Sequence, residues 1–230
     1  ALIFIGKQGG YYKLKNPYLK DNNFSLPYYL YNNLDFSPSL ADIEKEISKY
    51  IDDNLHWCIK GFEEFKIQGF EIIQGEVKSK VKITEESIAV NINFPIKLKK
   101  ENKVNNIEEF NTIINLPLIN IYNISKEIVN QQLKNPNSVC LSCLYDLAEI
   151  YDLNIDIIQY ENSSILFGIK NYNITEDAIT KSPYNFTFAV RLLNISCENF
   201  MYVDDVFFIE KCIDEIINAR NNSLQQKMIE

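Results

Sequence analysis

The chain has 230 residues with 23 basic and 31 acidic side chains, a formal net charge of -8, 46% apolar residues and 23% charged ones. That length can bury one substantial core, or two small ones sharing an interface, and that composition belongs to a folded chain, not a disordered one. The acidic balance argues against a nucleic-acid partner, whose affinity rests on Lys and Arg neutralising phosphates, and with Arg only at 191 and 220 bidentate phosphate recognition is scarcely available.

No segment reaches the roughly 20 apolar residues of a membrane-crossing helix. A chain that opens on Ala1 and at once on the apolar run to Ile5 reads as a processed product, so membrane attachment is expected only through a missing upstream anchor. Residues 1–38 are punctuated by Gly9, Gly10, Pro17, Pro27 and Pro38, with Tyr11, Tyr12, Tyr18, Tyr28, Tyr29 and Tyr31 between them. This predicts an irregular, largely extended segment whose rings pack against a sheet; the alternative is an aromatic surface for a sugar or peptide.

The first helix is expected from Ser37-Pro38-Ser39 onward, with Ser as N-cap and Asp42, Glu44 and Glu46 near its positive end. Leu40, Ile43, Ile47, Ile51, Leu55 and Cys58 recur at helical spacing and predict one buried stripe, stopped at Gly61. The period then changes to two. Residues 76–83 and 88–94 alternate around Thr84-Glu85-Glu86-Ser87 and predict a hairpin with one wet face. Lys97, Lys99 and Lys100 read as the charged guard of an edge strand. A further strand is expected over 110–116.

Two helices follow: 118–134, ending at Asn135-Pro136, and 139 to about 151, capped by Ser138. Residues 155–160 and 165–169 read as a second hairpin, and 184–192 as a strand with Phe186, Phe188, Val190 and Leu192 on one face. A last amphipathic helix is expected over 204–218, then a mobile polar tail from Asn221 to Glu230. The fold class is therefore α+β, one domain over 1–230, with an antiparallel sheet of two hairpins and further strands packed by about four helices.

The chemistry-bearing residues are sparse. His56 is the only histidine, which excludes His clusters for metal and most His-based triads. Gly6-Lys7-Gln8-Gly9-Gly10 lacks the spacing of a phosphate-binding loop and reads as a turn. Asp52-Asp53, Glu63-Glu64 and Asp204-Asp205 are sequence neighbours, which point apart on a helix. Neither a catalytic residue, a cofactor nor a metal is expected, and no enzyme activity. Of five cysteines, Cys58 and Cys212 lie on apolar helix faces that a disulfide joins if the helices pack. Cys140 and Cys143 form Cys-x-x-Cys at a helix start, read as a structural bridge or, alternatively, as a thiol-disulfide redox couple. Cys197 has no assigned role.

Seven Asn-x-Ser/Thr triplets occur, at Asn23, Asn123, Asn162, Asn173, Asn185, Asn194 and Asn221. Such triplets carry meaning only as glycan acceptors on a secreted surface. Asn162 is expected at a hairpin tip, Asn185 on the polar face of a strand, and Asn23, Asn173 and Asn194 in loops, whereas Asn123 falls within a helix and Asn221 near a frayed end.

The segments GKQGGYY (6–12), PYY (27–29), SLADIEKEISKYI (39–51), CLSCL (140–144) and YNFTFA (184–189) together resemble those of membrane-anchored surface proteins of small-genome archaea. The resemblance covers most of residues 1–192 and implies an extracellular, cell-surface location without implying an activity. In that family a Cys-bearing helix leads into the Gly-Gly-Tyr segment, whereas here a similar helix stands at 206–219, which raises the expectation that a neighbouring subunit completes the element. The expected function is an extracellular structural or adhesive component, a subunit of a surface filament, with copies of itself or other surface proteins as partners.

Overall fold

The computed structural model describes residues 1–22, 24–136, 139–160, 164–175 and 183–191. The architecture is α+β, with two sheets and mostly antiparallel pairing. The chain opens with a helix, α1 (Leu2–Lys7), followed by three short strands: β1 (Tyr18–Lys20), β2 (Ser25–Tyr31) and β3 (Leu34–Asp35). The segment expected to be irregular and largely extended over 1–38 thus holds one short helix and three short strands, with irregular chain between them. Turn formers there join short elements and do not replace them: Gly9 and Gly10 take positive φ values of 54° and 86° just after α1, and Asn32 and Asn33 make the left-handed turn between β2 and β3.

Helix α2 (Leu40–Cys58) begins as its sequence dictates. Ser39 accepts the Asp42 amide and the Asp42 carboxylate returns to the Ser39 amide and hydroxyl, a reciprocal capping box that holds the Asp42 carboxyl below its ordinary range. Its stripe is shorter than expected. Ile43 and Ile47 are buried, Leu40, Ile51 and Leu55 are half-covered, and Cys58 is exposed, because the last turns extend past the core. A 3-10 turn at Lys60–Phe62 and a short helix, α3 (Glu63–Ile67), carry the chain into the second sheet.

That sheet comprises β4 (Glu71–Gln74), β5 (Lys78–Ile83), β6 (Ile88–Lys100) and β7 (Lys103–Ile114). β6 is its centre: β4 and β5 share one side of it, and β7 runs along the other. Lys97, Lys99 and Lys100 therefore sit on a central strand, not on the edge strand that their charge suggested; Lys99 pairs with Glu71 at 3.1 Å and Lys100 lies over the Phe70 ring.

Helices α4 (Leu118–Lys134) and α5 (Leu141–Tyr151) follow, then β8 (Asn154–Tyr160), β9 (Ser164–Thr175) and β10 (Pro183–Arg191). α4 keeps its predicted limits and buries Leu118, Ile121, Ile124, Ile128 and Val129. Each aliphatic side chain withdrawn from water contributes about 1.5–3 kcal/mol. The first sheet runs β1-β2-β10-β9-β8, with β3 beside β2. Its pairing departs from the all-antiparallel expectation at one place, where β10 lies parallel to β2. Asn173, expected in a loop, belongs to β9, which continues well past the predicted hairpin.

Both sheets feed one core. Tyr29, Phe167, Phe186, Phe188 and Val190 of the first sheet share a cluster with Val81, Ile83, Ile88 and Val90 of the second and with the buried faces of α2, α4 and α5. Ala189, turned the other way on β10, joins Leu19, Leu26 and Tyr28 in a smaller cluster behind the first sheet. The expected helix at 204–218, the tail, and Leu192 lie outside the described residues.

Candidate functional site

The GKQGGYY segment is a packing device. α1 lies against β10 so closely that a Cβ on Gly6 would stand 2.6 Å from the Tyr184 hydroxyl and 2.7 Å from the Asn185 carbonyl oxygen. The Tyr29 hydroxyl donates to the Gly9 carbonyl at 2.7 Å, and full burial pushes its pKa well above the ordinary tyrosine value. Tyr11 donates to the Phe36 carbonyl at 2.9 Å; burial and the nearby Asp42, Glu46 and Asp35 raise it to about 12. Tyr28 shares a 2.8 Å hydrogen bond with Ser164, and Tyr29 stacks on Phe188 at 4.3 Å. The hydroxyls of Tyr11, Tyr28 and Tyr29 are thus engaged inside the protein, and an aromatic ligand surface cannot use these three rings.

The other candidates disperse. Cys140 and Cys143 are joined by a disulfide, and Cys140 is also the N-cap of α5, its sulfur accepting the Cys143 amide at 3.3 Å; Ser138, the cap expected from the sequence, lies outside the described residues. The bridge spans the first turn of α5, a helix preceded by α4 and not by a strand. Cys58 has no disulfide partner among the described residues, and Cys212 and Cys197 fall outside them. His56 is exposed in the last turn of α2 beside Trp57. Among the described residues, no three His, Cys, Asp or Glu side chains gather as a metal site would require.

Of the triplets, Asn123 is exposed on α4. Asn185 is half-buried, and its side-chain oxygen lies buried next to Gly168 with no hydrogen-bond partner among the described residues. Asn23, Asn162, Asn194 and Asn221 lie outside the described residues, and Asn173 lies in β9. Positions 24–122, which contain the whole second sheet, hold no triplet at all.

That sheet carries the feature that sequence reading missed. Its two edges are treated differently. On the β5 side, α2 supplies acceptors to the strand's outward amides: Asp52 takes the Ser79 amide at 2.7 Å and Glu44 the Ile83 amide at 2.9 Å, while the Ser79 hydroxyl donates to the Ser48 carbonyl at 2.9 Å. Glu44 also pairs with Lys82 at 3.2 Å. An edge closed in this way no longer offers a template for another strand.

On the β7 side nothing comparable occurs among the described residues. All 12 residues of β7 are exposed, and the strand pairs only with β6. β-formers make it a strand: Val104, Ile107, Phe110, Thr112, Ile113 and Ile114. The Glu101-Asn102 turn, with Glu101 at φ 52°, returns it onto β6. The register slips by one residue between Asn93 and Ile96, where Pro95 has no amide to give to the ladder. Beyond the slip, residues 109–114 pair with 93–88 without interruption. Ile113 is 69% exposed, Val104 49% and Phe110 40%. Trp57, Phe65, Ile67 and Ile73 add exposed apolar surface on the approach to and along β4. The predicted strand at 110–116 touched this region but began too late, since Lys103 to Glu109 reads as polar.

Comparison with protein-family models, with curated proteins and with solved structures gives no match to this chain.

Proposed function

We propose that the chain is a non-enzymatic component of a cell surface, structural or adhesive, which works by accepting a strand from another chain along β7. One observation carries this reading: among the described residues, carboxylates of α2 close the β5 edge of the sheet, whereas β7, 12 residues long and ending in the uncharged run 110–114, is exposed, pairs only with β6 and holds no glycan triplet. Strand addition draws affinity from main-chain hydrogen bonds and selectivity from side chains at alternate positions, so it needs no pocket and no catalytic group. Exposed edges of this length invite aggregation when they have no partner. The Cys140–Cys143 bridge agrees with an oxidising compartment outside the cell, and so does an exposed acceptor at Asn123.

Two measurements on material from the native source test the reading. Amide hydrogen exchange should be slower over 103–114 in cell-associated protein than in the purified, diluted chain, with β5 unchanged between them; equal exchange in both states removes the docking role. Intact mass with and without reductant and glycosidase should reveal an oxidised cysteine pair and added glycan. A fully reduced, unmodified chain would place the protein elsewhere than the cell exterior.

A further inference from the structure

We infer that the strand taken up along β7 is β7 of a second copy of this chain, running antiparallel, with Asn111 on the two-fold axis. This rests on β7 being a docking edge and adds the identity of its occupant. When two identical strands pair about an axis normal to the sheet, the residue on the axis faces its own copy and every other residue faces one equally far on the opposite side. The side chains of β7 decide where that axis can pass.

Centring on Glu108 or Glu109 sets a carboxylate directly against its copy, which is unfavourable across strands. Centring on Asn111 pairs 108–114 with its copy, and 109–114 of that stretch is in unbroken register with β6. It places Phe110 opposite Thr112 and Glu109 opposite Ile113, so that no like charges meet. The axis residue is then an amide, which both donates and accepts and can satisfy its own copy. Its surroundings already point that way. Asn91 on the neighbouring strand donates to the Asn111 side-chain oxygen at 2.6 Å. That oxygen retains a second lone pair, and the Asn111 amide nitrogen has two protons to give. Two copies would therefore continue the row as Asn91, Asn111, partner Asn111, partner Asn91, an amide ladder of the kind that stabilises stacked strands. The four-stranded sheet becomes eight-stranded across the contact.

Net charge of the same sign opposes the encounter, so the association should strengthen as salt is added. Light scattering or sedimentation on the full chain should show a mass that rises with concentration from 26.8 kDa toward twice that value. Asn111→Lys and Asn111→Glu each place like charges on the axis and should remain monomeric, with unchanged circular dichroism because the site is exposed. An equimolar mixture of the two variants should recover the dimer, a rescue that only a homotypic axis at this residue gives. Ile73→Lys, on exposed β4 surface, should associate as the unaltered chain does. A chain that stays monomeric at every concentration and salt overturns self-pairing; if 103–114 is still protected in cell-associated protein, the docking edge survives with a different occupant. Association that persists in both Asn111 variants overturns the axis position.

Discussion

Glu44 shows how an edge is closed, and its substitution tests that claim. Its carboxylate accepts the Ile83 amide at 2.9 Å and pairs with Lys82 at 3.2 Å. Glu44→Ala removes both interactions, whereas Glu44→Gln removes the charge but keeps an oxygen of the same reach. The Lys82 ammonium end is largely in water, so the ion pair contributes only about 0–1 kcal/mol. The amide differs, because Ile83 is only 6% exposed and water does not readily replace the lost acceptor. A buried donor left without a partner costs about 1–3 kcal/mol. The expected loss is about 2 kcal/mol for the alanine variant and under about 1 kcal/mol for the glutamine variant. In a chain of this size that corresponds to a fall in Tm of roughly 4–8 °C against at most about 4 °C. Urea unfolding at constant m, with exchange at the Ile83 amide, reads the difference. Equal losses in the two variants would show that the carboxylate does not hold Ile83, and α2 would no longer count as the seal of this edge.

Gly6→Ala should destabilise the chain although it lies in a helix: propensity favours alanine by about 1 kcal/mol, but forcing a methyl against Tyr184 and the Asn185 carbonyl costs about 1–3 kcal/mol. A raised urea midpoint would refute the close approach of α1 to β10. Burial pushes the Asp35 carboxyl up, but hydrogen bonds from Lys126 and Ser37 outweigh it and hold the group below its ordinary range. A depressed folded value stabilises the fold above the unfolded value of about 4, and that stabilisation disappears as pH falls through the lower folded value. Asp35→Asn should therefore lower stability at neutral pH by about 1 kcal/mol and flatten its acid dependence below about pH 4; an unchanged pH profile counts against the pair with Lys126. Reduction of Cys140–Cys143 opens a loop with a sequence separation of only 3, for which chain entropy gives about 2 kcal/mol. The reduced chain should remain folded with a slightly lower urea midpoint, and unfolding on reduction would contradict a local role for the bridge.

Elements with a strong period and a clear boundary were legible in the sequence. α4 follows from its 3.6-residue stripe and Asn135-Pro136, and α2 from Ser39 and Asp42, whose reciprocal bonds are present. The 88–94 and 184–192 alternations identified β6 and β10, but not their place in a sheet: that Lys97 to Lys100 are central and that β10 is parallel to β2 depends on contacts far apart in the chain. Asn185 shows the same limit. Its alternation marks a polar face, and only the pairing of β10 with β9, which sets its side-chain oxygen beside Gly168, shows that this oxygen is buried. β7 was half-visible because its first seven residues alternate poorly, and an open edge is a property of what does not pack beside a strand. No periodicity reports that.

The contrast between the two edges bears on what the open one is for. Two carboxylates of α2 suffice to close β5, so closure is available to this fold at little structural expense. β7 has instead the composition of a strand that accepts company selectively. Its three charges, Lys103, Glu108 and Glu109, occupy one end and the middle and leave 110–114 uncharged. A charge in the middle of an edge usually blocks pairing altogether. Here the adjacent glutamates reject alignments centred on themselves and permit one displaced toward Asn111, so they act as a register filter more than as a guard. The absence of Asn-x-Ser/Thr triplets from 24–122, in a chain with seven elsewhere, would keep sugar off the same surface if the triplets carry glycan as proposed. Replacing Glu108 and Glu109 together by Gln should then broaden the permitted registers: Asn111→Lys added to that variant should no longer abolish association, and a triple variant that stays monomeric would show that the glutamates select nothing.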